Sequence, residues 1–305
     1  MIYTLTTNPA IDVNVTADTL TTSKVNRTRD AVYTPNGKGL NVSFTLGHFG
    51  VPSTILGFFG GFSGRYIVEG AREVCPVLPV EVDGITRINM FVTTPEGEYK
   101  FPNAGAPVDE AAQQQMIDLI GGLDDLECLV VSGSLPPGID DSFYDLLFDA
   151  CEKRGAGLVL DISSPALARL VGRGPLLIKP NDEEVAAIFG VDVSSEADIV
   201  SALHLIYERG AQNILLTLGG DGAYFHDGEG IWRASAAPVE VYSSACAGDA
   251  TLAAFLSVWL GDRGAVEQAL LRAMATGGNV ATQAGLGDFA CVEELEGQIV
   301  LERLE

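Results

Sequence analysis

Four short apolar runs between residues 129 and 216 each stop at polar or glycine residues, and this punctuation restricts the fold more than any other feature. Leu129-Val130-Val131 ends in Ser132-Gly133-Ser134, and Leu158-Val159-Leu160 ends in Asp161. Leu176-Leu177-Ile178 ends in Lys179-Pro180-Asn181, and Ile214-Leu215-Leu216 in Thr217-Leu218-Gly219-Gly220. The runs are continuous rather than alternating, the pattern of parallel strands buried on both faces. Segments at about 110–121, 141–154, 182–189, 195–209, 249–261, 265–280 and 292–303 read as the helices that cover them. The expected fold is α/β, a three-layer α/β/α sandwich on a mainly parallel sheet. In open sheets of this kind ligands bind beyond the carboxyl ends of the strands, where the polar residues stand.

The first third reads differently. Ile2–Thr6 is an apolar strand, but the stretch from Val13 to about Thr34 alternates apolar and polar residues, as exposed strands do. A helix begins near Lys38, and extended segments follow around Thr54–Gly57, Leu78–Val82, Arg87–Thr94 and Glu98–Phe101. Strands from about 13–35 and 86–102 are expected to form a small β lid on a single domain spanning 1–305.

Charge and cysteines narrow the function classes. A net charge of −23 argues against nucleic acid or an anionic membrane as partner, since both require a basic face. No run of 18 apolar residues is present, and Met1-Ile2-Tyr3-Thr4 does not open a signal peptide. Five widely spaced cysteines without a CxxC pair fit a reducing cytoplasm and neither a disulfide framework nor structural zinc. Only five lysines occur, at 24, 38, 100, 153 and 179; Lys38 and Lys179 lie in or beside the segments discussed next, and Lys24 lies in the alternating stretch expected to form the lid.

Cys246-Ala247-Gly248-Asp249 follows a polar turn and opens an apolar helix. The unpaired N–H groups of such a first turn, with the helix dipole, make a site for an anion such as phosphate. A carboxylate there is placed to take a proton from an attacking hydroxyl, although Asp249 alone reads more readily as a helix cap. Asn36-Gly37-Lys38-Gly39-Leu40-Asn41 sits at a second helix start, where glycines admit a ligand and Lys38 and Asn41 offer donors. It lacks the spacing of a P-loop, and turn chemistry explains it as well. Asp12 can accept from two vicinal hydroxyls or simply serve a turn. Arg87 and Asn89 share one face of a strand, and Arg87 is either a phosphate ligand or a solvated side chain. Asn181 and Glu184, three apart at a helix start, suit a water-rich Mg²⁺ site or an ordinary cap. Thr217–Gly222 reads as a nucleotide-contacting loop or a glycine turn.

Taken in order, these segments resemble the PfkB-type branch of the ribokinase-like sugar kinases across essentially the whole chain. Asn8–Asp12 is similar to the family's NPAxD, 36–41 to GGKGxN, and 132–138 is SGSLPPG. Lys179–Glu184 is similar to KPNxxE, and Cys246–Asp249 to GAGD. The resemblance implies ATP-dependent phosphorylation of a sugar hydroxyl, with Asp249 as base and the Ala247–Gly248–Asp249 backbone as anion hole. It implies Asp12, Gly37, Lys38, Gly39, Asn41, Arg87, Asn89 and Ser134 at the substrate. Lys179, Asn181, Thr217, Gly219, Gly222, Gly248 and Asn279 would meet the nucleotide, and Asn181 and Glu184 would organise Mg²⁺ through water. Within the family the chain is most similar to 1-phosphofructokinase and tagatose-6-phosphate kinase. Fructose 1-phosphate is therefore expected ahead of tagatose 6-phosphate or fructose 6-phosphate, with a homodimer through the lid strands as in relatives.

Two positions depart from the motifs, Cys246 and Asn36, where the family has glycine. They leave open a second class of function, a sugar-phosphate-binding protein with weak turnover. Cys246 is also expected to be the most reactive thiol, provided that the helix N-terminus lowers its pKa more than burial raises it.

Overall fold

The computed structural model describes residues 1–305. Its fourteen strands are β1 (Ile2–Thr6), β2 (Ala10–Thr16), β3 (Arg29–Asn36), β4 (Ser53–Gly60), β5 (Val77–Val82), β6 (Arg87–Thr94), β7 (Gly97–Phe101), β8 (Cys128–Ser132), β9 (Gly157–Asp161), β10 (Leu177–Ile178), β11 (Ile214–Thr217), β12 (Ala223–His226), β13 (Ile231–Ala234) and β14 (Leu301–Arg303). Ten of them make one sheet in the order β14-β13-β12-β11-β10-β9-β8-β1-β4-β5. From β11 to β5 the neighbours are parallel, and β12, β13 and β14 close the other edge antiparallel.

The continuous apolar runs are explained by burial on both faces. Leu129, Val131, Leu158, Leu160, Ile178 and Leu216 pack on one side, with the helices Glu110–Gly121, Phe143–Arg154 and Glu196–Glu208. Val130, Val159, Leu177 and Leu215 pack on the other, with Lys38–His48, Ala247–Trp259 and Val266–Ala281. The helix Ala247–Trp259 is apolar nearly all round because the sheet and its neighbour helix enclose it, and Phe255 (tilted) and Trp259 (edge-on) pack against Phe225 of β12 with ring centroids 4.8 and 5.7 Å away.

A second sheet, β3-β2-β6-β7, stands apart from the first. β2 and β6 run parallel and the outer pairs antiparallel. Along β2, Ile11, Val13 and Val15 turn inward onto Leu40, Phe59 and Ile67, whereas Arg29–Thr34 of β3 are exposed.

Three segments differ from the sequence reading. The helix expected over 292–303 ends at Glu296, and Leu301–Arg303 instead pairs with β13 as an edge strand, Trp232 opposite Arg303. The helix expected over 182–189 is one turn, Asp182–Glu184, widened to a π-turn over Val185–Phe189 and stopped by Gly190 at φ 70°. The helix Gly61–Arg72 has no clear signal in the local sequence, since three glycines within it lower its propensity and burial of Ile67, Val68 and Ala71 decides the matter. No helix is long and apolar enough to cross a membrane.

Candidate active site

The polar strand ends converge on one cleft of about 360 Å³. β9 delivers Asp161, the residue after β10 is Lys179, and β11 ends in Thr217, all on the rim of the large sheet. Two helix starts face them, Lys38 and Asn41 from one and Gly248 and Asp249 from the other, with Ser244 and Ala245 leading in. The second sheet closes the far side with Asp12 and Asn36.

Charge in the cleft is arranged as a trio. Asp161 is buried and accepts from Lys179 Nζ at 3.0 Å and from Lys38 Nζ at 3.4 Å. Burial pushes its carboxyl upward, but the two ammonium groups outweigh this and hold it below the usual range. The same attraction raises Lys38. In a chain of net charge −23, two of five lysines are thus drawn to a single point. Sequence reading noted Asp161 only as a strand end and gave it no role; its position at the carboxyl edge of a buried parallel strand was the available signal.

Asp249 lies in the first turn of the helix Ala247–Trp259. Its Oδ2 accepts from Asn41 Nδ2 at 2.9 Å, and Oδ1 has no protein partner. Burial and the nearby Asp161 raise its pKa to about 6, against the pull of Lys38. The N–H of Ala247 makes only a long bond, 3.4 Å, to the Ser244 carbonyl, and the helix itself offers no acceptor to those of Gly248 and Asp249. A methyl group on Gly248 would stand 3.6 Å from Lys179 Nζ, so that ammonium reinforces the positive end of the helix. The arrangement presents an anion with oriented N–H groups and a lysine, next to a carboxylate whose pKa suits proton transfer near neutral pH.

Asp12 is held at both oxygens, by Asn89 Nδ2 at 2.8 Å and Asn36 Nδ2 at 2.6 Å. Burial raises its carboxyl, with Asn89 and Arg87 pulling against it. Asn181 and Glu184 form a reciprocal cap: Asn181 Oδ1 accepts from Glu184 N at 2.7 Å, and Glu184 Oε2 from Asn181 N at 3.0 Å. Ser163 Oγ donates to the other Glu184 oxygen. No group of three or more His, Cys, Asp or Glu side chains is positioned to hold a metal. Both residues still line the cleft with oxygen acceptors, a donor set that fits a Mg²⁺ keeping most of its waters.

Other residues expected here lie elsewhere or act through the backbone. Arg87 is beside Asp12 but outside the cleft lining, donating to the carbonyls of Asn8 (2.8 Å) and Asn103 (3.4 Å), with its buried Nε unpartnered. Burial lowers its pKa while Asp12 opposes the change. Ser134 is exposed, and its carbonyl accepts from Thr7. Gly39 does not face a ligand: a Cβ there would lie 2.4 Å from Thr6 Oγ1, so the glycine lets the helix Lys38–His48 press onto β1. Gly37 also packs on Thr6, and Gly222 (φ 98°) lies under the Ala234 carbonyl. Gly219 faces open space. Asn279 is buried, its Oδ1 capping Cys291 N at 2.9 Å and its Nδ2 unpartnered.

Cys246 overturns one expectation. It occupies the left-handed region at φ 64°, with Asn41 Nδ2 3.3 Å from its sulfur. Burial, then Asp249 and Asp12, push its thiol up to about 12, so the helix end does not produce a thiolate. Cys291 is the exposed thiol, whereas Cys75, Cys128 and Cys151 are buried. Iodoacetamide at pH 7.5, followed by peptide mass mapping, should label Cys291 well before Cys246; faster labelling of Cys246 would contradict this placement.

Comparison with known proteins agrees with this geometry. Residues 5–293 match the pfkB family carbohydrate kinase profile. The chain is 47% identical to a D-tagatose-1-phosphate kinase of Klebsiella oxytoca and 31% identical to a 1-phosphofructokinase of Bacillus subtilis, in both cases over 100% of each chain. It superposes on phosphofructokinase-2 from Escherichia coli with a TM-score of 0.90 and 28% identity, covering 97% of this chain and 98% of the other. With a phosphotransferase-type cleft, a family match along nearly its whole length and relatives that are sugar-phosphate kinases, the chain belongs to the pfkB family of carbohydrate kinases.

Proposed function

We propose that this kinase transfers the γ-phosphoryl group of MgATP to the C6 hydroxyl of a ketohexose 1-phosphate, tagatose 1-phosphate ahead of fructose 1-phosphate. The observation that carries the chemistry is Asp249, buried with a free Oδ1 and a pKa of about 6 beside a lysine-backed helix N-terminus. The sugar expected from sequence alone was fructose 1-phosphate. The 47% relative, a D-tagatose-1-phosphate kinase, supports its C4 epimer with the phosphate on the same carbon.

In this reading the hydroxyl oxygen attacks the γ-phosphorus, its bond to the β,γ-bridging oxygen breaks, and ADP leaves. The hydroxyl proton passes to Asp249 Oδ1. The Ala247–Asp249 N–H groups and Lys38 offset the charge growing on the transferred oxygens, and Lys179 holds the nucleotide phosphates. Asp12, oriented by Asn89 and Asn36, takes sugar hydroxyls. Mg²⁺, when bound through water to Asn181 and Glu184, neutralises phosphate charge. The second sheet acts as a lid over the sugar. Its exposed Val32, Tyr33, Met90 and Phe101 suit pairing with a second copy.

Steady-state ADP release with tagatose 1-phosphate, fructose 1-phosphate and both 6-phosphates tests the reading. It expects the two 1-phosphates to be favoured; turnover of none, with tight binding of one, would instead mark a binding protein. Arg87 lies one strand from Asp12 with an unspent buried N–H, and it is assigned to the substrate phosphate. Arg87→Ala should lower kcat/KM for the phosphosugar by roughly 10–100-fold, about 1.5–3 kcal/mol, with the ATP term unchanged. An effect confined to ATP would remove Arg87 from the sugar side.

A further inference from the structure

The two positions that depart from the family's glycines, 36 and 246, meet in space. Cys246 Sγ lies 4.0 Å from Asn36 Nδ2. Asn36 is fixed at both ends of its amide: Nδ2 donates to Asp12 Oδ2 at 2.6 Å, and Oδ1 accepts from Gly37 N at 2.5 Å and Asn41 Nδ2 at 3.2 Å. Asn41 Nδ2 in turn donates to Asp249 Oδ2 at 2.9 Å. Asp12 and Asp249 are therefore joined by a line of two amides, and a glycine at 36 would break it.

An amide nitrogen carries two hydrogens. One of Asn36 is spent on Asp12. The other has only the sulfur as a protein partner, at the limit of contact, so it remains an oriented donor in the cleft wall between the two carboxylates. Cys246 bounds the same space, held there in a backbone conformation that costs a β-carbon-bearing residue about 1 kcal/mol. A strained residue at a ligand wall points to function.

We propose that Asn36 and Cys246 together set which ketohexose epimer is accepted. This rests on the reading that C6 is phosphorylated at Asp249. With C6 at Asp249 and more distant hydroxyls at Asp12, the C4 hydroxyl falls on the wall between them. Tagatose and fructose differ only at C4. In one epimer the hydroxyl oxygen accepts from Asn36 while its proton goes to Asp12; in the other it is turned away, and the donor is left facing Cys246 without a partner. A site built to bond a hydroxyl discriminates strongly against a substrate that cannot supply it there.

The test is kcat/KM for tagatose 1-phosphate and fructose 1-phosphate in wild type, Asn36→Gly and Cys246→Ala, with KM for ATP measured alongside. Cys246→Ala removes the sulfur while keeping a β-carbon. The wild-type preference between epimers should collapse by about tenfold or more in Asn36→Gly and shift by several-fold in Cys246→Ala, with KM for ATP within about twofold. A preference unchanged within about twofold in both folded variants would overturn the proposal while leaving the ketohexose 1-phosphate reading intact. Wild-type turnover of 6-phosphates alone would defeat both.

Discussion

Asp249→Asn should lower kcat by roughly 10²- to 10⁴-fold while nucleotide and sugar-phosphate binding persist, because the proton acceptor is lost and the shape kept. The same group sets the acid limb of wild-type activity. Its folded pKa of about 6 means that kcat/KM falls as pH drops through that value, where the carboxylate protonates. The stability consequence has the opposite sense. A carboxylate raised above its unfolded pKa is penalised in the folded state when ionised, fully so above the folded value and not at all below the unfolded one. Asp249→Asn should therefore be more stable than wild type at pH 8, by on the order of 1–3 kcal/mol, and the gain should fade between pH 6 and 4. Thermal melts across that range and stopped-time ADP assays check both. Near-normal turnover would remove Asp249 from the role of base, and a variant less stable at pH 8 would show that its burial is not the dominant influence.

Asp161→Asn should be among the most destabilising single changes in this chain that conserve side-chain shape. The substitution leaves Lys179, almost fully buried, and the partly exposed Lys38 facing each other without a carboxylate. Removing one member of a buried ionic cluster costs about 3–5 kcal/mol, because the remaining charge stays desolvated. Chemical denaturation should report a loss of that size. The double variant Asp161→Asn with Lys179→Met should recover part of it, since the stranded charge is then gone. A single variant within about 1 kcal/mol of wild type would mean that water already solvates the trio. Activity should fall as well, since Lys38 and Lys179 lose the carboxylate that aims them into the cleft.

The largest features were readable from local pattern because they depend on local physics. Continuous apolar runs such as Leu129–Val131 require two covered faces, and polar residues at their ends mark where covering stops. The Ala247–Asp249 helix start and the Asn181–Glu184 spacing are short-range capping chemistry, and both form in the structure. Where local signals conflict, tertiary contacts decided. Residues 301–303 follow a helical pattern yet join β13, because that sheet edge had unpaired backbone groups to satisfy. Gly61–Arg72 is helical in spite of its glycines for the area it buries.

The site divides in the same way. Glycines 37, 39 and 222 announced themselves as special, but whether a glycine admits a ligand or a neighbouring strand depends on what lies across from it, and here it is protein. Asp161 carries no motif, and only the convergence of three distant segments turns it into the anchor of two lysines. Cys246 shows the limit most plainly. A helix N-terminus in sequence predicts a thiolate, whereas burial first, then Asp249 in the same helix turn and Asp12 from a distant strand, keep the thiol protonated. The amino-acid sequence by itself determined the layers, the strand ends and the residue types available for phosphoryl transfer, because those follow from periodicity and nearest neighbours. Which of those residues face one another, and so their charge states and the sugar they can accept, was decided only when the chain closed, because electrostatics and burial act through space rather than along the backbone.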